Sequence, residues 1–220
     1  MSKLKEFTIA MARPLPVIVL ADVSGSMATE GKIDALNTAL SEMIAALAEE
    51  DAAHAEIHVA VITFGTKARL HQALAPARDI VWQSLKASGR TPMGSAFDLT
   101  RELIEDRGRV PGRAYCPTIV LVSDGQPTDA WSEPLQRLLE SERAGKAQRF
   151  ALGIGADADQ DMLAAFLANP GGRVFEAHET RQIRNFFRLV TMSVSQRTHS
   201  AAPNQSVMIS PEDLDDFDDF

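Results

Sequence analysis

Residues Leu15-Pro16-Val17-Ile18-Val19-Leu20-Ala21 make an apolar run of strand length that stops abruptly at Asp22. A strand with one face in water alternates apolar and polar residues, whereas a strand covered on both faces reads as a continuous β-branched and aliphatic run. A chain built around such a segment needs helices on both sides of its sheet. Ile33, Leu36, Leu40, Ile44 and Leu47 supply the first, recurring at three- and four-residue spacing with Glu42, Glu49 and Glu50 outside the stripe. Ile57 to Phe64 read as a second strand. Gly65-Thr66 then turns the chain into a short returning strand, Lys67 to Ala73, expected at a polar edge.

Residues 76 to 90 are ambiguous: Pro76 can open a short helix through Val81, Trp82 and Leu85, broken by Ser88-Gly89-Arg90-Thr91-Pro92. Pro92 suits the first turn of a helix carrying Phe97, Leu99, Leu103 and Ile104. Pro117 to Val122 form another apolar strand, followed by a helix with Leu135, Leu138 and Leu139. Phe150 to Gly155 is a strand, Met162 to Leu167 a short helix, Val174-Phe175 a last strand, and Ile183 to Val194 a final amphipathic helix. Strands alternating with helices predict an α/β fold, a doubly wound and mostly parallel sheet with helices on both faces.

With 220 residues, 45% of them hydrophobic, the chain reads as one domain with tails, long enough to bury roughly 70% of its unfolded surface. The expected division is an N-terminal segment at 1–13, a domain at 14–197 and a disordered acidic tail at 198–220. The 30 acidic residues outnumber 22 basic ones, for a net charge of −8, which argues against nucleic acid or an anionic membrane as a partner. Six of the acids fall between Glu212 and Asp219; without them the remainder carries −8 + 6 = −2. One cysteine, Cys116, allows neither an internal disulfide nor a thiolate metal cluster, and is expected as a small core residue. Arg13, Pro14 and Pro16 interrupt the N-terminal apolar residues, so no signal-peptide core or spanning helix is read there, and a cytoplasmic location is the default.

In an open α/β sheet, ligands bind at the carboxyl ends of the strands. Asp22-Val23-Ser24-Gly25-Ser26, Thr91-Pro92-Met93-Gly94 and Asp124-Gly125 are all expected there. Alternation at 22, 24 and 26 directs one carboxylate and two hydroxyls to one side of an extended loop. Taken singly, Asp22 is a turn residue, Ser24 or Ser26 a helix cap, and Thr91 an N-cap before Pro92. Together, five oxygen donors with no sulfur or imidazole suit Mg²⁺ or Mn²⁺. Only Asp22 and Asp124 are ionised, so an incoming carboxylate would complete the shell with a strong Coulombic gain. Asp129 precedes a helix and is expected to cap it. Asp157-Ala158-Asp159-Gln160-Asp161 begins like a calcium loop, but Met162 and Ala168 stand where the loop needs Gly and Glu, so it reads as a helix start.

These residues resemble the von Willebrand factor A domain family and its metal-ion-dependent adhesion site, whose D-x-S-x-S, later Thr and later Asp match Asp22, Ser24, Ser26, Thr91 and Asp124. The resemblance covers about residues 14 to 196, and Ser88 to Gly94 and Ser123 to Asp129 look like the bacterial cytoplasmic branch associated with tellurite resistance and stress response. It implies strand order 3-2-1-4-5-6 with strand 3 antiparallel. It also implies Ser24 and Ser26 as direct metal ligands, with Thr91, Asp22 and Asp124 binding directly or through water. Arg90 departs from the small residue expected before the Thr; it adds a cationic contact for an acidic ligand or is solvated. Trp131 is either an aromatic anchor for a partner or a packing residue.

The function implied is a cytoplasmic scaffold or adaptor that grips an Asp or Glu side chain of another protein through the metal. A protein kinase and a metal-dependent protein phosphatase are the expected associates in a stress-response setting. Two alternatives stand beside it: a Mg²⁺-dependent phosphohydrolase with Asp22 as nucleophile, although Ser24 stands where such enzymes need a second carboxylate, and a subunit coupling a ring ATPase to its substrate. The tail alternates Asp pairs with Leu214, Phe217 and Phe220, and reads as a recognition peptide, an inhibitor of a metal site or a solubilising end.

Overall fold

The computed structural model describes residues 12–50, 55–169 and 172–205. Six strands form one sheet: β1 (Arg13–Asp22), β2 (Ala55–Phe64), β3 (Ala68–Pro76), β4 (Thr118–Ser123), β5 (Gln148–Ile154) and β6 (Val174–Ala177). Their order is β3-β2-β1-β4-β5-β6, parallel throughout except for the β2–β3 hairpin at one edge. Five helices surround it: α1 (Lys32–Ala48), α2 (Met93–Glu105), α3 (Ser132–Glu140), α4 (Gln160–Leu167) and α5 (Thr180–His199). The α/β doubly wound architecture, with strand 3 antiparallel, is as the sequence implied.

β1 shows why the continuous apolar run was decisive. Leu15, Val17, Val19 and Ala21 face the layer of α1 and α5, while Ile18 and Leu20 face that of α2, α3 and α4, and all six are fully buried. Alternate side chains of a strand point to opposite faces, so a polar residue anywhere in the run would lie in one of two cores. Among the described residues no helix is long and apolar enough to cross a membrane.

Three details differ from the sequence reading. Between Pro76 and Pro92 only Ala77–Asp79 make a turn of 3₁₀ helix; residues 80–92 carry no regular structure. The Asn37 side chain of α1 holds that segment, donating to Leu85 O at 3.0 Å and accepting from Leu85 N at 2.6 Å. Cys116 is half-buried rather than part of the core, because it precedes β4 at the amino end of the sheet, outside both helical layers. The last helix continues to His199, and the chain then folds back: Arg197 Nε donates to Pro203 O, and Cys116 N to Asn204 Oδ1, each at 2.9 Å. Residues 1–11 and the acidic segment from 206, with Leu214, Phe217 and Phe220, lie outside the described residues.

Candidate functional site

The β1–β4 register sets Ala21 beside Val122, so the next residues, Asp22 and Ser123, meet at the carboxyl end of the sheet. Ser123 Oγ donates to Asp22 Oδ2 at 2.6 Å. Asp22 Oδ1 accepts the Ser24 N–H at 2.8 Å, which turns the chain off the strand as an Asx turn does. Ser24 Oγ and Ser26 Oγ are 2.9 Å apart, and Ser26 Oγ donates to Asp124 Oδ1 at 2.7 Å. Lys32 Nζ, from the first residue of α1, donates to Asp124 Oδ2 at 3.0 Å. Four of the five candidate ligands, Asp22, Ser24, Ser26 and Asp124, are thereby linked in one hydrogen-bonded cluster. Burial deepens from exposed Ser26 to Ser24, Asp124 and fully buried Asp22.

Burial pushes the Asp22 carboxyl up to about 6, against the hydrogen bonds from Ser123 and Ser24, and the nearby Asp124 charge adds to the rise. A carboxylate held this way is short of positive charge.

Thr91 is buried on the neighbouring loop, and its hydroxyl makes no hydrogen bond to the other four. Backbone contacts bring the loop in: Ser88 N donates to Val23 O at 2.6 Å, Gly25 N to Gly89 O at 3.1 Å and Arg90 N to Gly65 O at 3.1 Å. Gly89 has φ +90°, and a Cβ there would lie 2.3 Å from Thr66 N, so the approach requires glycine. Thr91 also pairs with Thr128, its N–H donating to Thr128 Oγ1 at 3.1 Å and its carbonyl accepting from Thr128 N at 2.9 Å. The hydroxyl of Thr91 does not cap α2.

Asp129 does that, and this corrects its expected role. Instead of capping α3, which follows it, Asp129 accepts from Gly94 N at 2.8 Å and from Ser95 N and Ser95 Oγ at 3.0 Å each, at the start of α2. Gly94 lets the two loops meet; a Cβ there would lie 2.2 Å from Ala130 O. Trp131 is half-buried against the α2–α4 core, and Arg90 is exposed. Asp159 caps α4 by accepting from Met162 N at 3.0 Å, as a helix start rather than a calcium loop.

Two members of the cluster, Lys32 and Ser123, escaped sequence reasoning. The signal for Ser123 was its place beside Asp124 at a strand end next to β1. That for Lys32 was its position at the first turn of a helix, where side chains lean back toward the N-terminus. Among the described residues no group of three or more His, Cys, Asp or Glu is placed to hold a metal, so a cation here would depend on hydroxyls as much as on carboxylates.

The sequence profile of the von Willebrand factor type A domain matches residues 17–189. The chain belongs to that family. No curated protein matches the sequence significantly. Among solved structures, the von Willebrand factor type A protein from Catenulispora acidiphila superposes with TM-score 0.62 and 21% identity, over 83% of this chain and 42% of that one. Proximal thread matrix protein 1 from the mussel byssus, with a zinc-occupied MIDAS motif, superposes with TM-score 0.60 and 14% identity, over 82% of this chain and 48% of that one. The pilus adhesin SpaC from Lactobacillus rhamnosus GG gives TM-score 0.68 and 14% identity, over 86% and 31%. This chain therefore spans under half the length of each, and at these identities the likeness is one of fold. In this von Willebrand factor A domain the D-x-S-x-S loop, the Thr91 loop and the Asp124 loop converge at one end of the sheet.

Proposed function

We propose that the domain is a metal-dependent protein-binding module in which Asp22, Ser24, Ser26, Thr91 and Asp124 hold a divalent cation, Mg²⁺ or Mn²⁺, that grips an Asp or Glu carboxylate of a partner. The observation that carries this reading is the joined cluster of two buried carboxylates and two hydroxyls, graded from exposed Ser26 to buried Asp22. Its donors are all hard oxygens, which fit a divalent ion, although Lys32, paired with Asp124, would stand against that ion as a like charge. Asp22, Ser24, Ser26, Thr91 and Asp124 would be the residues that hold it. When bound, the ion supplies a positive charge that two carboxylates leave incompletely neutralised, and a partner carboxylate completes the shell.

The reading is of a binding module rather than an enzyme. Both oxygens of Asp22 accept hydrogen bonds and the carboxyl is fully buried, which suits a positioning and charge-supplying role better than that of a nucleophile. A cytoplasmic adaptor in a stress-response or tellurite-resistance setting, with a protein kinase and a metal-dependent phosphatase among its associates, is the setting we propose from the family resemblance. Capture of partners from native lysate with and without chelator, repeated with Asp22→Ala, tests the module: partners recovered only by the wild type with metal support it, and equal recovery in all arms overturns it. Metal-dependent hydrolysis of a phosphate ester, abolished by Asp22→Asn, would make it an enzyme instead.

A further inference from the structure

The rim around the candidate metal site carries opposite charges on its two sides. Between Ile57 and Phe97 the chain has five Lys or Arg, namely Lys67, Arg69, Arg78, Lys86 and Arg90, against one acid, Asp79. Arg78 and Asp79 follow β3 at the far end of the sheet, where Pro76 pairs with His58, and Arg78 is bonded to Glu56. The other four cations are exposed, and among the described residues none of them forms an ion pair.

Register places them beside the site. Asp22 pairs with Phe64, so the turn from Gly65 to Lys67 leaves the sheet at the same end as Asp22, one strand away, a spacing of roughly 5 Å. Ala68 then pairs back to Phe64 and Arg69 to Thr63, whose buried hydroxyl takes Arg69 Nε at 3.3 Å. Arg90 N donates to Gly65 O at 3.1 Å, which sets Arg90 against this turn and immediately before Thr91. Lys86 stands lower on the same segment, next to Leu85, which Asn37 holds.

The strand order puts β5 and β6 on the other side of the site. There Glu30, Asp157, Glu176 and Glu179 are exposed. Asp157 follows β5, and Glu176 and Glu179 lie at the carboxyl end of β6. Glu30 precedes Gly31, where a Cβ would lie 3.8 Å from the Thr180 methyl at the start of α5. The cations on this side include Arg181 and Lys32, and Lys32 is already bonded to Asp124. The candidate metal site therefore sits between a cationic side at β2–β3 and an acidic side at β5–β6.

We propose that the carboxylate gripped by the metal belongs to an acidic stretch of the partner, whose further acids lie over the β2–β3 side against Lys67 and Arg90, with Arg69 and Lys86 extending the same field. This rests on the metal-binding reading above and names the partner's chemistry. A lone Asp or Glu serves the ion equally well from either direction, whereas a run of acids gains from one side of this rim and is repelled by the other. A short acidic run that ends at the ion suits the surface. A nucleic-acid strand continuing across the ion would meet Glu30, Asp157, Glu176 and Glu179 as like charges.

Two labelled Gly-Ser peptides, one with a single Asp and one with three more Asp beside it, are titrated with the full chain in Mg²⁺ at low salt and followed by fluorescence anisotropy. The same titrations use Lys67→Gln with Arg90→Gln, while calorimetry follows Mg²⁺ itself. The double variant should lose ~5-fold or more in affinity for the four-Asp peptide, and stay within about twofold of wild type for the one-Asp peptide and for Mg²⁺. The difference should fade in about 1 M salt. Equal losses for both peptides overturn the proposal, as does no loss for either, or a four-Asp peptide that fails to bind while calorimetry shows the ion bound. Binding of that peptide undiminished by chelator separates the cationic side from the metal and overturns it too. Displacement of the peptide by a lower concentration of a single-stranded oligonucleotide of equal charge assigns the surface to nucleic acid instead. Absence of Mg²⁺ binding in calorimetry is the distinct result that overturns the metal reading, and this proposal with it.

Discussion

Lys32 Nζ stands 3.0 Å from Asp124 Oδ2, so the cluster at the carboxyl end of the sheet already contains one cation of the protein's own. The pair is largely buried, with side-chain exposures of 15% and 0%, and among the described residues it gives Asp124 its counter-charge. A divalent ion entering the cluster would meet this ammonium as a like charge.

Lys32→Met therefore separates stability from affinity. Without metal, the variant leaves Asp124 facing Asp22 uncompensated and should lose on the order of 2 kcal/mol of stability. With Mg²⁺ or Mn²⁺, removal of a like charge within a few ångströms should tighten binding by about tenfold. Thermal melting with and without chelator, together with calorimetric titration of the metal, checks both signs. Unchanged or weaker metal binding would show that Lys32 does not oppose the ion.

Asp22 sets the pH dependence. Its carboxyl, raised by burial to about 6, binds a proton in the native state between pH 4 and 6 that the unfolded chain has released. Stability linked to this group is complete below pH 4, falls as pH rises through 6 and is flat above. Asp22→Asn removes that loss, so at pH 7 without metal the variant should melt higher than the wild type, by on the order of 2 kcal/mol, and the difference should vanish near pH 4. Divalent affinity of the wild type should fall about tenfold per pH unit below 6, because a ligand must give up its proton. A variant less stable at pH 7 and 4 alike would place the role of Asp22 in its hydrogen bonds.

Gly89 holds the Thr91 loop against Gly65 and Thr66. Gly89→Ala puts a methyl group into the Thr66 backbone at a φ of +90°, and should cost about 2–4 kcal/mol. It should also weaken metal binding, since the loop that carries Thr91 must retreat from Val23 and Gly25. Melting and metal titration of the one variant test both effects; loss of stability with metal affinity intact would remove Thr91 from the site.

The fold was legible where one physical pattern dominated. The uninterrupted Leu15–Ala21 run required two covering layers, and each helix showed its stripe. The site was legible as far as residue type and strand ends carry: Asp22, Ser24, Ser26 and Asp124 do meet. Lys32, Ser123 and the capping of α2 by Asp129 were not read from local sequence, because each depends on which loops the sheet brings side by side; the strand order implied by the family resemblance carried that adjacency, but no local residue pattern did. Residues 80–92 failed for a related reason. Trp82 and Leu85 have helical spacing, yet their conformation is fixed from outside, by a side chain 48 positions earlier.

That side chain is Asn37, whose amide meets both backbone groups of Leu85 as a neighbouring strand would. Asn37→Ala leaves a partly buried N–H and carbonyl unpaired and should cost about 2 kcal/mol. Asn37→Asp keeps an acceptor for Leu85 N but sets a carboxylate against Leu85 O. At pH 7 it should be at least as damaging as alanine, and it should recover below pH 4, where the new carboxyl is protonated and donates to that oxygen. Metal affinity of either variant should stay within about twofold of wild type, because Ser88, Gly89 and Arg90 keep their own three backbone hydrogen bonds to the site. A large loss of affinity would show instead that the whole segment from Leu85 to Thr91 moves as one body, and that α1 positions Thr91 through Asn37.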